Sequence, residues 1–527
     1  MKRYIFILSV LSIFSLVFTS CNKNRVIDLY PKSYISTSSF YHTYNDLSLA
    51  LAGCYRGLQA PLQYEWMLTE LRSDNVYQWL TGSSSPTNLD LNDLDMYRPS
   101  PTLPEIYSYW LPVYTNIRSI NYVLQSLGVT YSNSVDSIGK PIANVTDDQR
   151  NELAGEALFL RAYHYFNLVR LFGGVFLVTT PVSPQQAQLI NRSSVDDCYK
   201  LIVADLTASI QLLPRVSYNY INSADLGKAT VWAAEALLAK VYLTLHQNAN
   251  ALPLLDDVIN NSGYGLLSNY ADVFSTSNEM NKEILFAVRF KAGGYGLGNF
   301  MPNYFAPLSS GSAIVNGDGL GYDYPSDDLD SAFNANDQRF SFSIGTYQSR
   351  RYAKKFVVPV AVPYDGENDF PILRFSDVLL MKAEAIGFDG SNGTSVSIIN
   401  TIRARAGAQP YTSGNFNSGF YLYPTDPSDS NSINSQDKFV QALLNERRLE
   451  FAFENQRLFD LIRFGQAIPV LQNYFANEYA AHYSQYSPQP TIQELQSNVN
   501  TDHLILPIPQ REIDANTTIT IQQNPGY

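Results

Sequence analysis

Between Thr146 and Gly174 the chain carries its firmest structural instruction. Thr146 followed three residues later by Gln149 is a capping box, in which each side chain satisfies the other residue's backbone N–H at a helix start. From Asp147 to about Phe172, Leu153, Ala157, Leu160, Ala162, Tyr165 and Val169 fill a broad apolar face at helical spacing. Gly173-Gly174 then stops the run. A helix this long and apolar needs other helices packed on it, so the chain is expected to be mostly α-helical.

The sequence supplies the partners. Tyr44 to Leu58 places Leu47, Leu51, Cys54, Tyr55 and Leu58 on one side, and Tyr107 to Leu127 does the same with Trp110, Tyr114, Ile117, Asn121 and Leu124. Asp196 to Leu213 is amphipathic and closed by Pro214. Ala229 to Leu245 is alanine-rich, which allows close helix approach, and Leu252 to Ile259 makes its short partner. Paired helices of this length suggest a tetratricopeptide-like stack, although the usual period is not clean. Thr81 to Asp95 is polar and reads as a surface excursion.

From about 260 to 370 the character changes. Ile284 to Phe290 is strand-like, and the rest is rich in Gly, Pro, Ser and aromatic residues with little periodicity. Helical patterns return at Pro371–Ile386, Ser395–Ala406 and Asp437–Ile468. A long irregular middle in a compact body is more often functional than idle.

The N-terminus states where the chain goes. Lys2 and Arg3 precede an apolar run from Tyr4 to Phe18, and Thr19-Ser20 lead directly to Cys21. A positive start, a short hydrophobic core and small residues before a cleavage point make a secretory signal, here residues 1–20. A cysteine at that point is the pattern of a bacterial lipobox, with Cys21 acylated as the first mature residue. Acyl chains contribute about 0.8 kcal/mol per buried methylene, so more than one anchors stably. Residues 21–40, with Pro31 and Ser/Thr at 34–39, read as a lipidated tether. The mature protein is expected on a membrane surface and not across it.

Removing Lys2 and Arg3 leaves 34 basic groups against 48 acidic ones, a net charge of −14. An acidic body without a dense Lys/Arg run disfavours nucleic-acid binding. Beyond Cys21 only Cys54 and Cys198 remain, too few for a disulfide framework, and two buried free thiols are the simpler expectation. The 37 tyrosines stand out against 4 tryptophans and 28 phenylalanines. Tyrosine suits surfaces that grip hydroxyl-rich ligands, and equally a partly wet core.

Gly155-Glu-Ala-Leu-Phe-Leu-Arg-Ala-Tyr-His-Tyr-Phe-Asn-Leu-Val-Arg-Leu-Phe-Gly-Gly-Val-Phe-Leu-Val178 closely resembles the SusD/RagB family of surface nutrient-binding lipoproteins of Bacteroidetes-type outer membranes. Trp110-Leu-Pro-Val-Tyr114 with Ile117 and Asn121 is similar to the family's Trp…Tyr…Ile…Asn helix. Asp337-Gln-Arg339 resembles its Asp-Pro-Arg turn, with Gln338 in place of the proline. The run from Phe370 to Ala385, Glu446-Arg-Arg-Leu-Glu450 with Glu454, Arg457, Asp460 and Arg463, and the ending Leu506-Pro-Ile-Pro509 with Asn524-Pro-Gly-Tyr527 match as well. The resemblance implies a SusD-like fold: four tetratricopeptide-like helix pairs against an irregular, loop-rich region with short strands. Residues 41–260 would form the helical N-terminal region and 261–527 the C-terminal region, packed as one body. It also implies a lid on a SusC-like TonB-dependent outer-membrane transporter, delivering oligosaccharides to the pore.

Catalytic and metal signals are missing from the sequence pattern. The five histidines are scattered without metal-ligand spacing, and no nucleophile elbow or phosphate loop appears. Gly293-Gly-Tyr-Gly-Leu-Gly298 reads as a flexible loop, and Asp90, Asn92 and Asp95 lack the rest of a calcium loop. No catalytic residue, cofactor or metal is therefore expected. Arg161, His164 and Arg170 read as capped or paired surface groups, and the charges from Glu446 to Arg463 as locks between helices.

Binding would then rest on aromatic platforms, because sugar rings stack their C–H faces on flat side chains while Arg, Asn and Asp reach the hydroxyls. Two neighbourhoods offer them: Arg72, Asp74, Tyr77 and Trp79 with Tyr97 and Arg98, and Tyr295, Phe300, Tyr304 and Phe305. Trp79, followed at once by a polar loop, is the leading candidate. Peptide cargo on the same lid, an enzyme on the same scaffold, and a non-transport glycan-binding or scaffold protein are the rival readings.

Overall fold

The computed structural model describes residues 40–78 and 86–527. The signal, Cys21, Pro31 and the Ser/Thr cluster of the tether, and Trp79, lie outside the described residues. The body is built on α1 (Tyr44–Arg56), α2 (Gln59–Leu68), α3 (Pro104–Ser126), α4 (Asp147–Phe172), α5 (Val195–Leu212), α6 (Val231–Thr244) and α7 (Asn248–Asn261). After the irregular middle come α8 (Phe375–Ile386), α9 (Thr394–Arg405), α10 (Gln436–Glu450), α11 (Arg457–Arg463) and α12 (Ala467–Glu478). From α3 to α10 each of these helices packs on the next, so the stack follows chain order. The mostly α-helical fold with a few short strands is the one expected.

The Thr146 capping box forms as read, with Gln149 N–H donating to Thr146 Oγ1 at 3.3 Å and Thr146 N–H to Gln149 Oε1 at 3.0 Å. Beyond its first turns, however, α4 is buried almost all round, because α1, α3, α5 and α6 surround it. Arg161 and His164 are therefore core groups and not surface ones. Arg161 forks onto Asp205 (2.8 and 2.7 Å) and reaches Asp136 at 3.2 Å. Arg170 lies between the rings of Phe166 and Phe459, at 3.9 and 3.8 Å.

Three further readings change. Residues Pro86–Asp95, expected as surface loop, form a helix that buries Leu91 and Leu94. The polar residues hid two apolar side chains at helical spacing. The start of the Pro371–Ile386 run is a strand, since Phe370–Arg374 pairs antiparallel with Ile284–Val288. The span Asp437–Ile468 breaks after Glu450, where Phe453 and Asn455 take positive φ (67° and 60°) to turn the chain.

The other pairing that matters is antiparallel as well. Calling Val76–Tyr77 β1, Ile284–Val288 β2, Tyr324–Pro325 β3 and Phe370–Arg374 β4, Tyr77 stands opposite Tyr324 in the β1–β3 pair. The main core cluster runs from Leu47 to Ile508, so both halves of the chain share it. The Glu446–Arg463 charges lock elements together across that core. Arg374 reaches Glu450 at 3.0 Å and Glu454 at 2.8 Å, Arg339 reaches Glu446 at 2.7 Å, and Arg447 joins Asp377 to Asp460. Cys54 and Cys198 are buried free thiols. Among the described residues no helix is long and apolar enough to cross a membrane.

Candidate functional site

The corner between α1 and α2 is the rigid floor of the site. Gly57 sits so close to α3 that a Cβ there would lie 2.2 Å from Asn116 Oδ1. Asn116 Nδ2 donates to Cys54 O at 2.9 Å and lies 2.8 Å from His164 Nε2 on α4. Burial pushes His164 down to about 3, so the ring is neutral and its Nε2 can accept. The capped helix thus fixes the corner through one amide.

From this corner α2 grips the irregular middle. Gln59 Nε2 donates to Arg289 O at 2.6 Å, and Phe300 N–H donates to Gln63 Oε1 at 3.4 Å, one helical turn further on. On its other side the same loop is held by alternate acids of an extended segment, whose side chains fall on one face at period two. Asp369 accepts from Phe290 N–H (2.8 Å), Glu367 from Ala292 N–H (2.8 Å), and Asp365 from Gly293 and Gly294 N–H (2.8 and 2.9 Å). Gly293, Gly294 and Gly296 all take positive φ, a conformation open to glycine at no steric cost. The Gly-rich loop is thereby a tied one, with Lys291 N–H closing it onto Leu297 O at 2.8 Å. Its tip carries Tyr295, 68% exposed.

Next to the loop, rings gather. Phe300 lies 5.9 Å from Tyr304 and 6.0 Å from Tyr364, and Tyr304 lies 5.7 Å from Tyr322, mostly edge to face. Trp66 supports them from below, stacked on Tyr322 at 5.5 Å and edge-on to Phe305 at 5.5 Å. Buried Asn303 fastens the frame. Its Oδ1 accepts from Tyr364 N–H at 2.7 Å, and its Nδ2 donates to the carbonyls of Asn316 and Asp318. Phe300 is 38% exposed, and Tyr64, Tyr304, Tyr322 and Tyr364 are half-buried, so ring faces remain available.

Tyr64, Phe300 and Tyr364 line a cavity of about 500 Å³ together with Gln59, Gln63 and Arg56. A second cavity of about 530 Å³ adjoins it, sharing Gly53, Arg56 and Gln59. Arg56 is exposed at their junction. Rings, two amides and a guanidinium around one opening can stack a sugar face and hydrogen-bond its hydroxyls.

The sequence-predicted residues divide. Phe300 lines this opening and Tyr304 packs edge-on against its ring, Tyr295 stands exposed at the tip of the neighbouring loop, and Phe305 is packed against Trp66. Of the first neighbourhood, Arg72, Asp74, Tyr77 and Tyr97 are buried and serve the core. Arg72 stacks over Tyr97 at 4.9 Å and donates to His503 O at 2.6 Å, and the Tyr97 hydroxyl donates to Arg72 O. Asp74 is held by Arg457 and Arg448, and Tyr77 stacks on His482. Arg98 is exposed and paired with Asp93 at 2.7 Å. The polar residues that looked ligand-facing were needed to satisfy one another inside. Tyr64, Tyr322, Tyr364 and Arg56 were missed. Pro363-Tyr364-Asp365-Gly366, a lone ring in a turn sequence, was the available signal.

Two family models match the chain: "SusD family" over residues 343–527 and "Starch-binding associating with outer membrane" over residues 30–243. SusD-like protein P25 of Formosa agariphila is 24% identical, covering 97% of this chain and 98% of its own. A SusD-like protein of Bacteroides ovatus is also 24% identical, covering 74% of this chain and 78% of its own. Among solved structures, a laminarin-binding SusD-like protein superposes with a TM-score of 0.71 at 23% identity, covering 92% of this chain and all of its own. Surface glycan-binding protein A from Bacteroides thetaiotaomicron, in complex with laminarihexaose, gives 0.69 at 20% identity, covering 92% and 99%.

Proposed function

The chain belongs to the SusD/RagB family, and on that premise we propose that its mature form is a lipid-anchored outer-membrane protein that binds oligosaccharides outside the cell and passes them to a SusC-like TonB-dependent transporter. Capture requires a shaped surface and no change to the bonds of the cargo. The observation that carries the reading is the Phe300–Tyr304–Tyr364 cluster, half-open beside a 500 Å³ cavity and fastened by buried amides and carboxylates. Rigid support spares the loop the ordering cost that a floppy platform pays on binding. The names of its structural neighbours, one laminarin-binding and one complexed with laminarihexaose, support a glycan as cargo.

Trp79, which lies outside the described residues, stays a proposed ligand contact on its sequence alone. The test is calorimetric titration of the mature chain with a panel of oligosaccharides, laminarihexaose first. Saturable binding that weakens in Trp79→Ala, without loss of fold, supports both the ligand class and the residue. Binding of extended peptides in place of every glycan would transfer the role to peptide cargo. For the anchor, Cys21→Ser is expected to leave the membrane fraction, and co-purification of a TonB-dependent barrel tests the partner.

A further inference from the structure

Outside the ring cluster, three metal-competent side chains converge. One ligand atom each of Asp327, Glu478 and His482 lies within 4.8 Å of the other two. Glu478 ends α12, and His482 N–H donates to Glu478 O at 3.0 Å, so the chain keeps helical spacing and both side chains share a face. Asp327 comes from the start of the short helix Asp327–Ala332.

The imidazole is pre-aimed. Its ring stacks on Tyr77 with centroids 3.7 Å apart and planes 20° apart, which fixes the direction of Nε2. That atom is buried and has no hydrogen-bond partner. It lies 3.0 Å from Glu478 Oε2 and 3.7 Å from Asp327 Oδ2, yet the 3.0 Å contact lacks the alignment of a hydrogen bond. Ligands placed 2.0–2.2 Å from one tetrahedral cation stand about 3.3–3.6 Å apart, and the two observed distances bracket that value.

The carboxylates are also poised. Glu478 is buried and already accepts from Asp327 and Asp328 N–H, at 3.3 and 2.8 Å, which orients it and leaves each oxygen a further lone pair. Asp328 and Asp330 of the same short helix are taken by Arg448 and Arg351, whereas the Asp327 carboxylate faces the imidazole.

We propose that Asp327, Glu478 and His482 form a binding site for a divalent cation of the zinc class, each giving one ligand atom and leaving a fourth position to water. One nitrogen with two carboxylate oxygens suits such a cation. Calcium asks for six to eight oxygens, which this set cannot supply. The bound ion would clip the end of α12 to the Asp327–Ala332 helix beside Tyr77.

The test uses the tag-free mature chain, stripped with chelator and titrated with ZnCl₂ at pH 7.5. One saturable site per chain and a raised thermal midpoint are expected, because an ion that binds only the folded state stabilises it. Asp327→Asn and His482→Gln should each weaken zinc binding at least tenfold. Asp327 is 73% exposed, so its variant keeps the fold and decides the matter alone if His482→Gln does not fold. Absence of a saturable zinc site, zinc affinity unchanged in Asp327→Asn, or calcium binding as tightly as zinc would each overturn the proposal.

Discussion

Arg457 and Asp74 close a two-pronged ion pair in the interior, Nε to Oδ1 and Nη2 to Oδ2 both at 2.8 Å, across 383 residues of chain. Arg448 adds a third contact to the same carboxylate at 3.2 Å. The pair joins the segment before β1 to α11 and explains why Asp74 is unavailable to a ligand.

Asp74→Ala should therefore destabilise the fold by about 3–5 kcal/mol, because it leaves the buried Arg457 guanidinium without its carboxylate. Burial opposes the Asp74 charge, but Arg448 and Arg457 outweigh it and hold the carboxyl well below the usual range. A native value below the unfolded one gives stability that is present above about pH 3.9 and lost as pH falls further. Urea denaturation of wild type and variant should show the gap closing in acid.

Asp95 behaves oppositely. It is equally buried, but its partners are neutral: Gln78 N–H at 3.0 Å and the Tyr483 hydroxyl at 2.9 Å. Burial pushes it up to about 7. A native value above the unfolded one gives stability that is present in acid and lost as pH rises from about 3.9 through 7, by up to about 1.4 kcal/mol per pH unit. Asp95→Asn should gain on wild type between pH 4.5 and pH 8, and parallel stability curves would refute the assignment.

At the proposed glycan site, Phe300→Ala and Tyr364→Ala should each reduce affinity about tenfold, or about 1.4 kcal/mol, with melting nearly unchanged. Tyr97→Phe is the control. It removes the hydroxyl that donates to Arg72 O, so it should cost about 1 kcal/mol of stability and leave glycan affinity untouched. Calorimetry and thermal melts on the three proteins separate the two roles.

Gly298→Ala tests whether the loop must be tied. An added Cβ would fall 2.2 Å from Asp365 Oδ1 and 2.5 Å from its Cα, displacing the carboxylate that accepts from Gly293 and Gly294. Affinity should fall more than stability does. An unchanged dissociation constant would show that the Tyr295 loop contributes nothing to capture.

Helices α4, α5 and α6 were legible to within a residue or two, because caps, a Gly-Gly stop, Pro214 and period 3.6 are local signals. The Glu446–Arg463 charges were legible as locks between helices, but not their partners, since Arg339, Arg374 and Arg403 lie far away in sequence. Half of the candidate site failed for the same reason. Arg72, Asp74 and Tyr97 carry surface-type polarity, and only the arrival of Arg457 and His503 from the C-terminal part makes burying them affordable. By itself the sequence determined what depends on neighbours along the chain: which segments coil, where they stop, and the family they spell out. Tertiary structure alone decided which rings stay half-open and which carboxylates meet at His482, because exposure and long-range contact are settled by what packs on a residue from afar, and no local pattern encodes that.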